Sequence, residues 1–411
     1  MSRPRRHLRE RVRRLPGMER LLPALEGLPP VHLVGGAVRD LLLGAGSVDV
    51  DLAVEGDARS AARELADRLG GRLREHERFG TASVIADDLE LDLATTRQET
   101  YDEPGALPRV EAAPLAADLE RRDFSVNAMA IALTGDDLGH LYDPCGGEAD
   151  LDRRAIRVLH ERSFLDDPTR LLRAVRYEMR LGFRMEPDTE RLARTAVDAG
   201  ALDTVSAARV RDELMDLLAE AEAPGGVERL HDLGIDAALH PALVPDADLV
   251  ASAALGALAL GADRAVAALA ALVAGAPQEL DLWLGDLGLQ ARDRDAAARA
   301  ARVAPRLAAE LRERDHSPSE LRDLLAREPL EALAVALALQ APSEPILDWV
   351  TSLSRMRLEI SGDDLLAAGV PEGPAVGRAL DETLRMKLDG IVGGREQELE
   401  AALRLAGETA R

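Results

Sequence analysis

The chain has 411 residues, of which 46% are hydrophobic, a formal net charge of −23 and one cysteine, Cys145. Its length favours two or more domains, while the lone cysteine excludes a disulfide framework or a multi-cysteine zinc site and fits a reducing compartment. No apolar run approaches the roughly 18 residues that span a membrane, so we expect a cytoplasmic protein with no membrane partner and no implied protein partner.

The negative charge is unevenly distributed, which matters for nucleic-acid binding. Phosphate contacts need local positive charge, so a net negative chain at face value argues against them. Eight arginines nevertheless lie within residues 1–20 and nine within 153–184, whereas the acidic excess is concentrated in the C-terminal half. Each arginine-rich stretch is either an RNA-binding surface or a solvated helix face with ordinary ion pairs.

The predicted elements begin after a basic N-terminal extension, residues 1–24. Strands are expected at 31–34, 48–54, 72–76, 81–86 and 89–95, and helices at 37–43 and 58–69. The last three strands are short and read as a meander that completes one sheet. The proline-containing stretch 102–115 is expected to be a mobile loop. These elements predict an α+β head over residues 25–160.

From about residue 160 the pattern changes to helical periodicity and stays so to the end. Helices are expected at 163–181, 188–199 and 207–221, and in many Ala/Leu-rich segments after them. We therefore predict an all-α remainder, with a helical neck over 161–240 and a helical body and tail over 241–411.

Two carboxylates, Asp49 and Asp51, flank Val50 on the second predicted strand. The two-residue alternation of a strand puts both on one face, a few ångströms apart. Like charges so close need a cation, and hard oxygen donors at this spacing suit Mg²⁺, which shares its remaining ligand positions with water and substrate phosphates. For a lone D-x-D pattern the alternative is an exposed strand face.

A glycine pair, Gly35 and Gly36, stands where the first strand turns into a helix. Glycines there let the backbone approach a triphosphate, whose charge is favoured at a helix N-terminus. Arg39 and Asp40 can add a cationic fork and a residue that orients it. Together with the carboxylate pair, these residues predict metal-dependent nucleotidyl transfer from a triphosphate.

The segment from Gly35 to Asp51, GGAVRDLLLGAGSVDVD, resembles the DNA polymerase β-like nucleotidyltransferases, in particular the bacterial and eukaryotic type (class II) of CCA-adding enzyme and its poly(A) polymerase relatives. Residues 121–130 (RRDFSVNAMA) resemble that family's second motif, and 166–177 (DDPTRLLRAVRY) its nucleotide-selecting motif. Residues 206–214 (SAARVRDEL) are similar to a further helix motif, in which Arg209 and Glu213 would pair at i,i+4. The resemblance implies a polymerase β-like palm in the head.

The resemblance also implies roles for other residues. Asp92 would complete the carboxylate set from a neighbouring strand, and a plain surface carboxylate is the alternative. The residues implied in sugar, phosphate or nucleotide contacts are Arg122, Asp123, Asn127, Arg173 and Arg176. Arg121 is either part of this set or a simple surface arginine.

Asp167 and Arg170 are the residues implied in nucleotide selection. They lie three apart at a helix start and so on one face. The carboxylate would accept from the exocyclic amine of cytosine or adenine, whereas uracil and guanine present a carbonyl there and leave buried groups unpaired. The alternative is that Asp167 only caps the helix that begins at Pro168.

The activity implied is the addition of C and A (CCA) to the tRNA 3′ end from CTP and ATP, with two metal ions and release of pyrophosphate. Some relatives with an Asp-Asp spelling at 166–167 add only A or only CC, so these activities stay open, as does that of a poly(A) polymerase. An inactive RNA-binding scaffold is the remote alternative.

Overall fold

The computed structural model describes residues 5–44, 50–76, 80–87 and 89–409. The chain forms two compact units: Met1–Glu213 with Glu220–Glu222 and Asp232–Ala238, and Leu214–Ala219 with Ala223–His231 and Leu239–Arg411. Within the described part of the chain, no helix is long and apolar enough to cross a membrane.

The first unit combines strands and helices. Its strands are β1 (Val31–Val34), β2 (Val50–Val54), β3 (Arg72–His76), β4 (Thr81–Ala86), β5 (Leu89–Thr95), β6 (Arg97–Thr100), β7 (Arg109–Ala112), β8 (Ala130–Ala132), β9 (Leu141–Tyr142), β10 (Ala155–Ile156) and β11 (Arg184–Met185). Its helices are α1 (Arg5–Arg13), α2 (Met18–Ala24), α3 (Gly36–Leu43), α4 (Ala58–Leu69), α5 (Leu115–Glu120), α6 (Gly147–Arg153), α7 (Ser163–Asp166), α8 (Thr169–Leu181) and α9 (Pro187–Asp198).

A seven-stranded mixed sheet organises this unit, in the order β3-β4-β5-β2-β1-β8-β9. β2 and β5 are parallel and the other neighbours are antiparallel. All four residues of β1 are buried, as expected for a central strand covered on both faces, whereas β4 and β5 alternate between more and less buried residues. The predicted α+β head with a mixed sheet is confirmed.

The predicted loop at 102–115 is partly wrong. β7 pairs antiparallel with β6, so that Arg97 faces Ala112 and Thr100 faces Arg109. All four β7 residues are exposed, and a strand without a buried face lacks the apolar alternation by which sequence identifies strands. The two strands form a ribbon whose tip is residues 101–108.

Residues predicted as a basic extension form α1 and α2, which bury Leu8, Val12, Met18 and Leu21. The apolar residues of α1 recur at i and i+4 and so share one face. Arginines on the other side of α1, Arg9 among them, are exposed.

Three helices include residues of both units: α10 (Ala207–Ala219), α11 (Ala223–Asp232) and α12 (Ile235–Leu239). The second unit continues with α13 (Ala247–Leu260), α14 (Arg264–Val273), α15 (Leu280–Asp286), α16 (Ala291–Glu313), α17 (Pro318–Leu325), α18 (Leu330–Ala338), α19 (Ser343–Thr351), α20 (Gly362–Ala367), α21 (Pro374–Leu388) and α22 (Arg395–Thr409). The predicted helical remainder is confirmed.

The core of the second unit is built from small residues. α13, α14, α16 and α18 pack on one another, and every residue of α14 from Val266 to Val273 is buried. A Cβ added to Gly256 would lie 3.1 Å from the carbonyl oxygen of Ala334. Glycine and alanine therefore set how closely α13 and α18 approach.

Candidate active site

A pocket of about 370 Å³ opens in the first unit, against β2, the β6–β7 ribbon and α8. The sequence-predicted site residues that line it are Gly35, Gly36, Asp51, Arg122, Asp123, Asn127, Asp167, Arg170 and Arg173. The structure thus brings together residues that are up to 138 positions apart in the sequence. Asp49 lies outside the described residues.

The glycine turn forms one wall of the pocket. Gly35 has a φ of 64° and precedes the first residue of α3, and its N–H donates to the Met129 carbonyl at 3.2 Å. A Cβ at Gly35 would lie 2.8 Å from Nη1 of Arg122. Only glycine combines this left-handed backbone with such a close approach, so the start of α3 is accessible to an anion from the pocket.

Asp51 and Asp92 lie side by side on parallel strands. The β2–β5 register pairs Asp51 with Asp92, and neighbouring strands are about 4.8 Å apart. Both side chains are on the less buried face of their strands, and Ser83 donates to Oδ1 of Asp92 at 2.5 Å. The described residues contain no group of three metal-ligand side chains. The two carboxylates form a pair of hard oxygen donors, of which Asp51 lines the pocket with the glycine turn and Asp92 does not.

Arg39 lies behind the pocket wall rather than on it. Its side chain is 3% exposed, and its Nε and Nη2 donate to the two carboxylate oxygens of Asp40 at 2.8 and 2.9 Å. Its Nη1 donates to Oδ1 of Asn127 at 2.8 Å. Burial alone would lower the pKa of Arg39, but the hydrogen bond and charge of Asp40 raise it. Asp40 thus holds two of the three nitrogens of the Arg39 guanidinium, and the third is bonded to Asn127.

The wall continues through Asn127 as a chain of paired polar groups. Asn127 donates to Oδ1 of Asp123 at 3.0 Å, and Arg173 donates to Oδ2 of Asp123 at 2.6 Å. Burial favours a higher pKa for Asp123, but the charge and hydrogen bond of Arg173 hold that pKa below its usual value. Asp123 is therefore an ionised, fully engaged acceptor at physiological pH. Its two neighbours, Asn127 and Arg173, both line the pocket.

Arg209 and Glu213 do not pair with each other, contrary to the i,i+4 expectation. Arg209 donates to Asp167 at 2.7 Å. Glu213 pairs with Arg173 and Arg176, each at 2.9 Å. Contacts between helices distant in sequence therefore replace the local pair. Arg176 does not line the pocket. It shares the Glu213 carboxylate with Arg173, which does line the pocket.

Tyr177 is a pocket residue to which sequence reasoning assigned no role. The guanidinium carbons of Arg39, Arg173 and Arg176 lie 5.4, 5.5 and 5.9 Å from its ring centroid, within the range of cation–π attraction. Phe124 packs against the ring edge, with centroids 5.7 Å apart. The ring gives three like charges a common partner. The period of α8, which puts residues 173 and 177 on one face, was the available sequence clue.

Asp167 and Arg170 occupy the start of α8. The predicted helix over 163–181 is broken here, because the residue before Pro168 is sterically pushed out of the helical region and Asp167 has φ −134° and ψ 91°. Oδ1 of Asp167 accepts from the N–H and hydroxyl of Thr169 at 3.1 and 2.6 Å, in addition to Arg209. Its Oδ2 has no hydrogen-bond partner among the described residues. Asp167 therefore caps the helix with one oxygen and keeps the other for the pocket.

Arg170 is held rigidly. Its side chain is almost fully buried, Nη1 donates to the Ser163 hydroxyl at 2.6 Å, and Nη2 donates to the Arg121 carbonyl at 2.9 Å. These two bonds fix the guanidinium plane and leave further N–H groups of Arg170 for the pocket that it lines.

Arg121 and Arg122 are anchored by one buried carboxylate. Asp118, 2% exposed, accepts from Arg121 at 2.8 Å and from Arg122 at 3.0 Å. Burial would raise the pKa of Asp118, but the charges of Arg122 and Arg121 lower it. Arg121 also pairs with Glu99 at 2.6 Å. Arg121 is therefore part of the pocket and not a simple surface arginine.

Glu99 and Tyr101, on the ribbon, also line the pocket and were missed because their segment was assigned to no strand. Tyr101 donates to Oε2 of Glu99 at 3.2 Å. Burial, reinforced by the Glu99 charge, raises the pKa of Tyr101 to about 12. The alternation Arg97, Glu99, Tyr101 has the period of a strand with a polar face, which was the available clue.

Comparisons with known proteins agree with this geometry. Residues 31–157 match the poly A polymerase head domain, and residues 182–246 match the probable RNA and SrmB-binding site of polymerase A. A CC-adding tRNA nucleotidyltransferase of Deinococcus radiodurans is 35% identical over 376 residues, 90% of this chain and 87% of that protein. The chain belongs to the family of tRNA nucleotidyltransferases that have this head domain.

Two further relatives of this family span most of the chain. An A-adding tRNA nucleotidyltransferase of Geobacter sulfurreducens is 37% identical over 400 residues, 92% of this chain and 45% of that protein. The structure of a Thermotoga maritima CCA-adding enzyme complexed with tRNA has a TM-score of 0.77 and 31% identity over 98% of this chain and 99% of that one. The chain thus spans less than half the length of the Geobacter relative.

Proposed function

We propose that the protein adds C and A to the 3′ end of tRNA from CTP and ATP, completing CCA. One observation carries the proposal: the glycine turn, Asp51 and the Asp167/Arg170 pair line one pocket, and Asp92 stands beside Asp51 on the next strand. The three features correspond to triphosphate binding, metal binding and base selection. The relatives include CCA-adding and CC-adding enzymes, which supports tRNA as the acceptor.

Asp51 and Asp92 fit a divalent cation, because each offers carboxylate oxygens on the same side of the sheet. With Asp49 they would hold Mg²⁺. Bound there, the ions would lower the pKa of the attacking 3′-hydroxyl and neutralise charge on the triphosphate. Mg²⁺ prefers a few carboxylates and keeps its other positions for water and phosphate, which agrees with Asp51 on the pocket wall and Asp92 beside it.

The chain's own residues would position the nucleotide. The start of α3 offers backbone amides to the triphosphate, and Arg122 stands 2.8 Å from the position of a Gly35 Cβ, so it lies directly over that turn. Asn127 and Arg173 are fixed by Asp123 and face the pocket. Catalysis would come from positioning and charge neutralisation, without a dedicated side-chain base.

Base selection follows from the free Oδ2 of Asp167 and the fixed guanidinium of Arg170. Cytosine N4 and adenine N6 both donate, so either base satisfies the carboxylate, while Arg170 donates to ring acceptors. Uracil and guanine present a carbonyl at that position and would leave the carboxylate facing an acceptor. A base that leaves a buried polar group of the site unpaired is strongly rejected, because that unpaired group costs free energy.

A second candidate is the addition of A alone. It is favoured by the Geobacter relative, an A-adding enzyme whose similarity extends over 92% of the chain. The pocket geometry fits it equally, because Asp167 recognises adenine by the same amine.

Purified protein incubated with Mg²⁺, CTP and ATP would separate the activities when offered tRNA lacking CCA, tRNA ending in CC, and an unrelated RNA. CCA addition extends the first tRNA by three nucleotides. Extension of only the tRNA ending in CC, with ATP alone, supports the A-adding candidate, and a long A tail on the unrelated RNA indicates a poly(A) polymerase. If neither tRNA is extended, the proposal is wrong.

A further inference from the structure

Arg154, Arg180 and Arg184 form an exposed cationic surface beside the far end of α8. We infer that this surface, the α8 ridge, binds the sugar–phosphate backbone of the RNA strand whose 3′ end enters the pocket. The inference rests on the proposed function, since it names the surface that would hold the acceptor of that reaction.

The position of the ridge follows from the geometry of α8. Arg173 on the pocket wall and Arg180 are seven residues apart, so they lie on one helix face about 10 Å apart along the axis. Arg184 follows the end of α8, and its N–H donates to the Arg154 carbonyl at 3.1 Å, which holds these two residues together. The ridge therefore continues the cationic face of the pocket wall over a distance of one to two nucleotides of single strand.

The charge of the ridge is not neutralised by the protein. Arg173 is paired with Asp123 and Glu213, and Arg176 with Glu213. By contrast, Arg154, Arg180 and Arg184 have no carboxylate partner among the described residues. The nearby Glu186 is engaged as the N-cap of α9, where it accepts from Thr189. Unpaired arginines in a chain with a net charge of −23 suit a polyanion, because phosphates then displace only water and counterions.

Arg154 provides a second, independent observation. It ends α6 with a φ of 56°, in the left-handed region that glycine adopts without strain and most side chains avoid. Glycine is the usual residue at this position after a helix. A strained arginine in such a place points to a role for its side chain.

The arginines of α1 offer a matched control. Arg9, Arg13 and Arg14 are also exposed and without a carboxylate partner in the described part of the chain. However, a Cβ at Gly139 would lie 2.7 Å from the Arg9 backbone, and Gly139 donates to the Ala132 carbonyl. Ala132 is at the end of β8 opposite to Met129, which bonds Gly35. α1 therefore packs at the end of β8 away from the glycine turn.

The experiment compares two triple variants that each remove three positive charges: R154Q/R180Q/R184Q and R9Q/R13Q/R14Q. Direct binding of a tRNA ending in CC is measured between about 50 and 200 mM salt, where each phosphate contact contributes about 0.7 to 0.9 to the slope of log affinity against log salt. We expect the ridge variant to bind this tRNA at least about tenfold more weakly than wild type. The slope of its log affinity against log salt should be smaller in magnitude by about two. The slope of the α1 variant should differ from wild type by less than half as much as that of the ridge variant. The KM for ATP should stay unchanged in both variants.

The outcomes separate the inference from the proposed function. Equal losses of tRNA affinity in both variants would show a general effect of net charge and would overturn the inference. Unchanged tRNA binding by the ridge variant would also overturn it. Binding does not require catalysis, so a wild type that binds tRNA but extends none overturns the proposed function alone. A wild type that does not bind tRNA overturns both. R154G adds a check on strain: it should weaken binding without lowering the melting temperature.

Discussion

The pocket wall of the first unit and the helical core of the second unit use opposite means of holding together. The wall and the residues directly behind it bury charges: Arg39, Asp118 and Asp123 are all largely or fully removed from solvent and each meets an opposite charge. The core around α14 and α18 is packed from alanine, leucine and valine. Buried ion pairs contribute little net stability, because desolvation offsets their attraction. The wall is therefore organised for orientation, and the helical core for stability.

The largest effect on activity is expected at the carboxylate pair of the first unit. Asp51→Asn should reduce nucleotidyl transfer by about a thousandfold or more, because a proposed metal ligand and its charge are lost, while the melting temperature stays the same or rises. Steady-state transfer to tRNA and thermal unfolding measure the two quantities. The matched control is Asp87→Asn, since Asp87 is an exposed carboxylate paired with Arg20 and its loss should leave transfer intact. Near-normal activity of Asp51→Asn would contradict the metal site.

The next largest effect is expected where the wall loses one partner of a buried pair. Arg39→Met should lower the free energy of unfolding by about 2 to 4 kcal/mol, since Asp40 and Asn127 lose their donor in a buried setting. It should also raise the KM for nucleotide, because Asn127 is no longer held. Urea unfolding and initial rates measure these changes.

The control lies in the second unit. Arg302 pairs with Asp281 at 3.0 Å, with both side chains nearly half exposed, so Arg302→Met should cost about 1 kcal/mol or less. Equal destabilisation by the two substitutions would remove the contrast between wall and surface pairs.

Sequence predicted five of the seven strands of the sheet, because apolar patterns mark buried faces, but it did not predict β8 and β9, which are only three and two residues long. β1 matches its predicted bounds, and the glycine turn and Asp51 lie where the strand and helix periods place them. What it missed depends on contacts between distant residues. Besides its neighbour Asp40, Arg39 donates to Asn127, 88 positions away, and Glu213 pairs with Arg173, 40 positions away. Spacing rules describe neighbours on one helix, so they favoured the local Arg209–Glu213 pair instead.

The helical core can be tested through its close approach. Gly256→Ala should destabilise the protein by about 1 to 3 kcal/mol, because the new methyl group would meet the Ala334 backbone at 3.1 Å and overpack α13 against α18. Gly285→Ala is the control: it lies within α15 with open space around it, so the better helix propensity should stabilise by about 0.5 to 1 kcal/mol. Both variants should keep full transfer activity per folded molecule. If folded Gly256→Ala protein transferred nucleotides more slowly than wild type, the packing of α13 against α18 would also be needed for the reaction.

The smallest effect concerns the pH dependence of the wall. The pKa of Asp118 lies below its ordinary value in the folded chain because Arg122 and Arg121 outweigh burial. Its contribution to stability is therefore present above about pH 4, the unfolded pKa, and is lost as the pH falls through the folded pKa. Asp118→Asn should be less stable than wild type at pH 6, and the difference should shrink as the pH is lowered towards 3. Urea midpoints measured across this range test it. Parallel curves for wild type and Asp118→Asn would mean that the pKa of Asp118 is not lowered in the folded chain.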